Sequence, residues 1–399
     1  MSDKARSVFL IVFCQVSAMT LWFSASSASA SLLEKGAISG QQAGLLTGAV
    51  QLGFVAGTLV SAWFGLPDRP DPRRLFAICA LAGAAANLSL LATGFDNAAT
   101  IVLRFVTGAM LAGVYPVGMK LAAGWAERSV GLMIGTLVGA LTLGSALPHL
   151  FGALNGLEWR TTIIVSSVCG ALSALVVLFT RLGPAHRSAP RFVPGEAWRE
   201  LRRPAVLLAN AGYLGHMWEL YAMWAWIGVF LTWGLAEAGA TIPADPGLLT
   251  FVVIASGALG CVGAGFLADR LGRTAVTMAA MVTSGLCAAV IGLLPPAGAV
   301  VLVAVAVIWG IAVIADSAQF SAAIAELSPP CLVGSMLTLQ TSAGFMLTFF
   351  AIQALPVLID LLTWRYAFAV LAIGPFLGTL AMWRLRREPD AVLLAGGKL

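Results

Sequence analysis

Histidine and glutamate three residues apart are an acid–base pair in search of a proton, and His216 and Glu219 stand inside an apolar run from Ala205 to Leu235. A run of that length and character reads as a membrane span. An ionised carboxylate at a bilayer centre costs at least roughly 2.5–3.5 kcal/mol, so its presence asks for a function. At about 100° per residue, Gly212, His216, Glu219, Met223 and Trp226 share one narrow stripe of the helix, with Trp218 and Tyr221 well off it. A carboxyl group held out of water favours its protonated form, and imidazole titrates near neutrality. Glu219 is therefore the candidate proton acceptor, with His216 as its partner or relay. Asp316, deep in a later apolar run, lies seven residues beyond Trp309 on one face and is followed by Gln319. Arg104 sits too deep in a third run to reach water cheaply, and Tyr115, eleven residues on, returns to its face. With His216 neutral, one cation faces two carboxylates, so one proton or one cationic substrate balances the set. The alternative for each group is a structural clamp between helices.

The elements that must position these groups are all helices. The chain has 399 residues, 59% of them hydrophobic and 10% charged, far below the ~25% charge of soluble domains. Twelve apolar segments are expected near 7–33, 41–64, 75–95, 98–120, 129–151, 159–181, 205–234, 247–268, 275–295, 298–325, 332–358 and 364–384. A chain in lipid must satisfy its own backbone, which excludes open sheets. With the N-terminus in the cytoplasm, nineteen Lys and Arg fall inside and only Lys35, Arg160 and Arg365 outside. Both termini are then cytoplasmic. The first segment is too long for a secretory signal. The six cysteines show no paired spacing, and no zinc, ATP-binding, HExxH or Ser/His/Asp pattern occurs. No cofactor, metal or nucleic-acid partner is expected, and the chain is not expected to be an enzyme.

A repeat divides the chain. Asp68-Arg69 after the second segment and Asp269-Arg270 after the eighth lie 201 residues apart. Trp159-Arg160 and Trp364-Arg365 lie 205 apart. The expected plan is a six-helix unit over 1–181, a basic cytoplasmic linker over 182–204 and a second six-helix unit over 205–399. Duplicated units of this kind hold a midplane site between them. Three of the four tyrosines, Tyr115, Tyr213 and Tyr221, lie at mid-depth rather than in the interfacial belts, which suggests an apolar or amphipathic organic substrate. Thr136, Thr142, Thr338, Gln340 and Thr341 are candidates for the cavity wall, and His149 is expected at the outer interface. Gly53-x3-Gly57 reads as close helix packing.

The stretch Gly265-x-Leu267-Ala268-Asp269-Arg270-x-Gly272-Arg273 resembles the cytoplasmic signature of the major facilitator superfamily, and the twelve-segment, duplicated plan extends that resemblance over the whole chain. The resemblance implies secondary transport by alternating access, with the first, fourth, seventh and tenth helices lining the cavity. The deep ionisable groups fall on three of those four. It also implies a conformational latch: Asp269 capping a helix of its own half, with Arg270 and Arg273 pairing nearby. Asp68 and Arg69 belong to a degraded first copy in which Asp71-Pro72 interrupts the Gly-Arg step. Arg104-x3-Gly108 resembles the family's intramembrane arginine motif. The antiporter motif of the fifth helix is not matched, which favours proton-coupled uptake, by symport, over efflux. The seventh and tenth helices resemble bacterial members labelled nitrate, nitrite or cyanate carriers, yet arginines in the second and eighth helices are missing, so a small-anion carrier stands second. A proton-coupled efflux antiporter and a transporter-like receptor rank below it. The expected setting is the inner membrane, the expected partners a small-molecule substrate, protons and lipid, and the expected state a monomer.

Overall fold

The computed structural model describes residues 3–66, 71–95, 97–125, 130–154, 158–184, 193–239 and 245–398, and these are helical throughout apart from short connections. Ten stretches among them are long and apolar enough to cross a membrane. One stretch, Val333–Leu385, doubles back at Thr363, whose φ of 59° and ψ of 170° end one helix and start the next. The 34-residue helix Pro204–Glu237 is a further element of spanning length, about 51 Å at 1.5 Å per residue. The chain is a multi-pass membrane protein.

In chain order the helices are α1 (Asp3–Glu34), α2 (Gly40–Phe64), α3 (Pro72–Leu88), α4 (Leu90–Thr93), α5 (Ala98–Leu111), α6 (Tyr115–Ala123), α7 (Val130–Leu154), α8 (Trp159–Val176), α9 (Pro194–Glu200) and α10 (Pro204–Glu237). They continue as α11 (Pro246–Leu271), α12 (Arg273–Val290), α13 (Ala299–Ala315), α14 (Ser317–Leu327), α15 (Val333–Ala367) and α16 (Ile373–Leu385). Helix starts follow local chemistry. Asp71 and Asp245 cap α3 and α11, each with proline at the next position, where a missing N–H costs nothing.

Two spans expected to be continuous are broken. The span from 98 is interrupted between α5 and α6, where Gly113 and the missing N–H of Pro116 weaken the ladder. The span from 299 is interrupted at Asp316, between α13 and α14. The breaks follow Leu111 and Ala315, 204 residues apart, close to the 201- and 205-residue offsets of the sequence markers.

Glycine lets the helix before each break touch the backbone of a neighbour. A Cβ on Gly53 of α2 would lie 1.9 Å from the Phe105 carbonyl oxygen of α5, and one on Gly310 of α13 would lie 1.9 Å from that of Val253 on α11. The expected glycine packing in α2 is thus realised, and its counterpart joins α11 to α13. Across the midline, α7 packs on α11 and α2 on α15. Outward faces stay apolar, with Val60, Val168, Leu259 and Val300 all exposed. The C-terminal segment Pro389–Gly397 folds back: Asp390 pairs with Arg203 at 2.7 Å, and the Ala395 N–H donates to Glu326.

Candidate functional site

The deep ionisable residues do not meet in one place. Arg104 on α5 is wholly buried and bonds to neighbouring helices: its Nη1 donates to the Leu21 carbonyl at 3.1 Å, to Asn87 Oδ1 at 3.0 Å and to Ser24 Oγ at 3.3 Å. Its Nη2 donates to the Trp22 carbonyl and its Nε to that of Leu46. Among the described residues no carboxylate pairs with it. The expected charge balance between Arg104, Glu219 and Asp316 is therefore corrected. Arg104 ties α1, α2 and α3 together, the clamp alternative, because a guanidinium fans donors in several directions at once. Asn87 continues the network to Ser167 on α8.

Glu219 holds the corresponding place among the later helices. One carboxylate oxygen accepts from Trp309 Nε1 of α13 at 2.7 Å, the other from Ser284 Oγ of α12 at 2.9 Å. Trp309 lies 205 residues after Arg104, the repeat offset once more. His216 has a different partner. Its Nδ1 lies 2.8 Å from Asp316 Oδ1, at the break between α13 and α14. The two atoms are close but not aligned as a hydrogen bond, and His216 Nε2 is buried without a partner. The expected His216–Glu219 pair is thus replaced by His216–Asp316. Residues three apart share a helix face, but the neighbouring helix decides which side chain each one meets.

A cavity of about 220 Å³ lies one layer in front of this pair. Its wall includes Tyr115 and Tyr213, with Met217, Ser317, Ser321 and Thr341. Met217 and Ser317 are the immediate neighbours of His216 and Asp316. None of its described wall residues is charged. Of the polar candidates in the fifth and eleventh spans, Thr341 alone lines it. Trp309 and Gln319, expected on the wall, are turned to other work: Trp309 to Glu219, Gln319 to Arg273.

A layer of rings closes the cavity on the side away from the chain ends. Trp22 and Phe54 from α1 and α2 pack on Tyr221 and Phe345 from α10 and α15, with centroid distances of 4.6–5.9 Å. Phe23 and Trp224 extend the layer. Beyond it a second cavity of about 370 Å³ is lined by Ser27, Thr232, Thr250 and His149. His149 is 6% exposed and faces this space rather than an interface with lipid headgroups. Spacing alone offered no signal for the ring layer, since its members come from four helices.

The signature loop also differs in detail. Arg273 forms a two-pronged ion pair with Glu326 at the end of α14, at 2.6 and 2.7 Å, and donates to Gln319 Oε1 at 2.8 Å. Arg270 is exposed and lies over the Phe266 ring at 4.0 Å. Asp269 is exposed, and α12 begins at Gly272 without a side-chain cap, so the expected capping role of Asp269 is corrected; its carbonyl oxygen instead accepts from Lys398. Asp68 and Arg69 lie outside the described residues. In the first copy Asp71 binds Arg73 at 2.6 Å, and Arg73 reaches the Thr180 carbonyl at 2.9 Å.

Comparison with known proteins matches this architecture. Two crystal structures of the nucleoside transporter NupG, one of a mutant, superpose with TM-scores of 0.70 and 0.71 at 16% and 15% identity. They cover 97% and 95% of this chain and 100% and 99% of theirs. The proton:xylose symporter XylE superposes with a TM-score of 0.69 at 12% identity, covering 96% of each chain. At these identities the likeness is one of fold. No curated protein matches in sequence. The model of the Major Facilitator Superfamily matches residues 11–351, and with most of its length so matched the chain belongs to that superfamily of membrane transporters.

Proposed function

We propose that this protein is a secondary transporter that moves a small, uncharged organic solute by alternating access, driven by co-transport of protons into the cell. Twelve spans in two six-helix units, 1–181 and 205–399, would flank the cavity, with the linker 182–204 and both termini in the cytoplasm of an inner-membrane protein. The observation that carries the reading is the uncharged central cavity with an ionisable pair, His216 and Asp316, one layer behind its wall at a helix break. The named activities of NupG, a nucleoside transporter, and XylE, a proton:xylose symporter, support it.

In this proposal a proton taken up by the pair makes imidazolium beside carboxylate, an ion pair that draws α10 towards the break in the tenth span. Losing the proton removes that attraction. Two states of one helix contact then follow one proton, and solute in the adjacent cavity favours one of them. Glu219, with each oxygen already bonded, anchors α10 to α12 and α13. A small anion, the second reading, would find no cation on the described cavity wall, and a buried charge without a partner is costly.

The test is accumulation in proteoliposomes under an imposed proton gradient, using labelled nucleosides, pentoses and nitrate. Uptake of an uncharged solute that collapses with the gradient is expected. Nitrate uptake with no uncharged solute moved overturns the substrate class; no gradient-dependent uptake of anything overturns coupled transport.

A further inference from the structure

The central cavity is built from two unlike walls. On one side α6 and α7, packed on each other, contribute Met119, Ile134, Val138 and Leu141, with the phenol of Tyr115 as the one hydroxyl among their described wall residues. On the other, α10, α14 and α15, which likewise pack together, contribute Tyr213, Tyr221, Ser317, Ser321 and Thr341, five of the six described hydroxyls. Serines and threonines inside a helix commonly donate to a carbonyl three or four residues back, and Thr142, Thr277, Thr338 and Thr348 do so here. Ser317 and Ser321 do not. Neither hydroxyl has a partner among the described residues, and neither is sealed off: both residues are half-buried and line the cavity, unlike Gln340, whose unpartnered amide is shut inside the protein. The phenol of Tyr221, a residue only 3% exposed, also has no partner among the described residues and lines the same wall.

We propose that the solute taken by this cavity has two unlike edges: a compact ring-bearing body with its hydroxyl groups along one side. This deepens the transport reading above and rests on it. The polar edge bonds to Ser317 and Ser321, four residues apart on one face of α14 and so about 6 Å apart along its axis. The apolar edge rests on Val138 and Leu141 of α7. Free hydroxyls both donate and accept, which matches them to an alcohol. A polyol with hydroxyls all round its ring would press some of them against α7, and each one left there without a partner costs roughly tenfold in affinity. Tyr213 and Phe345 offer flat faces on which a ring can lie. At about 220 Å³ the cavity falls below the roughly 300–1,000 Å³ of drug-sized sites, which keeps the body small. Ser317 follows Asp316 directly, so a solute held by its hydroxyl bears on the residue paired with His216.

Equilibrium dialysis of the purified full-length protein tests the class with labelled styrene glycol, a ring with two hydroxyl groups at one end. Unlabelled myo-inositol, of similar size with hydroxyls all round, is the competitor. Styrene glycol is expected to bind saturably and at least about tenfold more tightly than inositol. The double variant Ser317→Ala, Ser321→Ala weakens its binding about tenfold, the worth of two hydrogen bonds, whereas Ser321→Thr, which keeps the hydroxyl, holds it within about twofold. Leu141→Asn puts a polar group on the apolar wall and narrows the preference over inositol at least about threefold. Absence of saturable styrene glycol binding, equal binding of inositol, undiminished binding in the double variant, or an unchanged preference in Leu141→Asn overturns the proposal. Should the double variant fail to fold, Ser321→Ala alone, expected at about threefold, decides the same point. Liposome uptake is read separately: gradient-driven uptake with equal binding of the two probes defeats this solute class alone, and the expected binding without gradient-driven uptake defeats the transport reading alone.

Discussion

Replacing Arg104 by lysine and, separately, by methionine distinguishes a clamp from a carrier of charge. The guanidinium makes five hydrogen bonds to α1, α2 and α3. Bonds from a charged donor contribute about 1.5–3 kcal/mol each, set against a burial cost of several kcal/mol for the ion. Methionine loses the bonds but also removes the burial cost. Ser24 and Asn87 keep each other as partners at 2.7 Å, so the net loss is about 1–3 kcal/mol. Lysine keeps the burial cost yet concentrates its donors at one point, which cannot reach Leu46, Leu21 and Asn87 together. Its expected loss is about 3–5 kcal/mol, so lysine is the less stable variant although it preserves charge. Denaturant or thermal unfolding in detergent, followed by tryptophan fluorescence, gives the order, and proteoliposome uptake gives function. Two variants of equal stability, with uptake kept in lysine and lost in methionine, would refute the clamp and make Arg104 a working charge.

Asp316→Asn is expected to abolish gradient-driven accumulation while sparing solute exchange; if Glu219→Gln gives that split and Asp316→Asn does not, the proton sits on Glu219. Glu326→Gln removes the carboxylate partner of Arg273, and a partly buried two-pronged pair is worth about 1–2 kcal/mol, so turnover should slow about tenfold with affinity little changed. A large affinity loss at normal turnover would show that this contact is not a latch. The hydrogen bond and charge of Arg73 hold the Asp71 carboxyl below its ordinary range. A carboxyl lowered in the folded state stabilises above its unfolded value, near 4, and loses that contribution as pH falls through the folded one. Asp71→Asn should therefore lower the unfolding midpoint at pH 7, by about 0.5–1 kcal/mol, and match the parent at the acid end; a pH-independent difference would refute the ion pair as its cause.

Much of the frame was legible because it rests on local rules. Spanning segments show in composition, since lipid demands long apolar helices, and the glycines that join α2 to α5 show in spacing. The two offsets of about 200 residues suggested a duplication, and the helix breaks after Leu111 and Ala315 lie 204 residues apart. All three tyrosines read at mid-depth, Tyr115, Tyr213 and Tyr221, line the central cavity.

Partnership between helices was not legible. His216 and Glu219 share a stripe, yet they part company because α13 offers Trp309 to one while the break at Asp316 serves the other. Arg104 could be read as a coupling charge or as a clamp until three helices closed around it, and His149 read as an interfacial residue until α10 and α11 walled it into a cavity. Residue type and depth establish that a polar group needs a partner, and a sequence displays both. Which partner it finds depends on the rotation and approach of helices far apart in the chain, and that is decided only when the bundle packs.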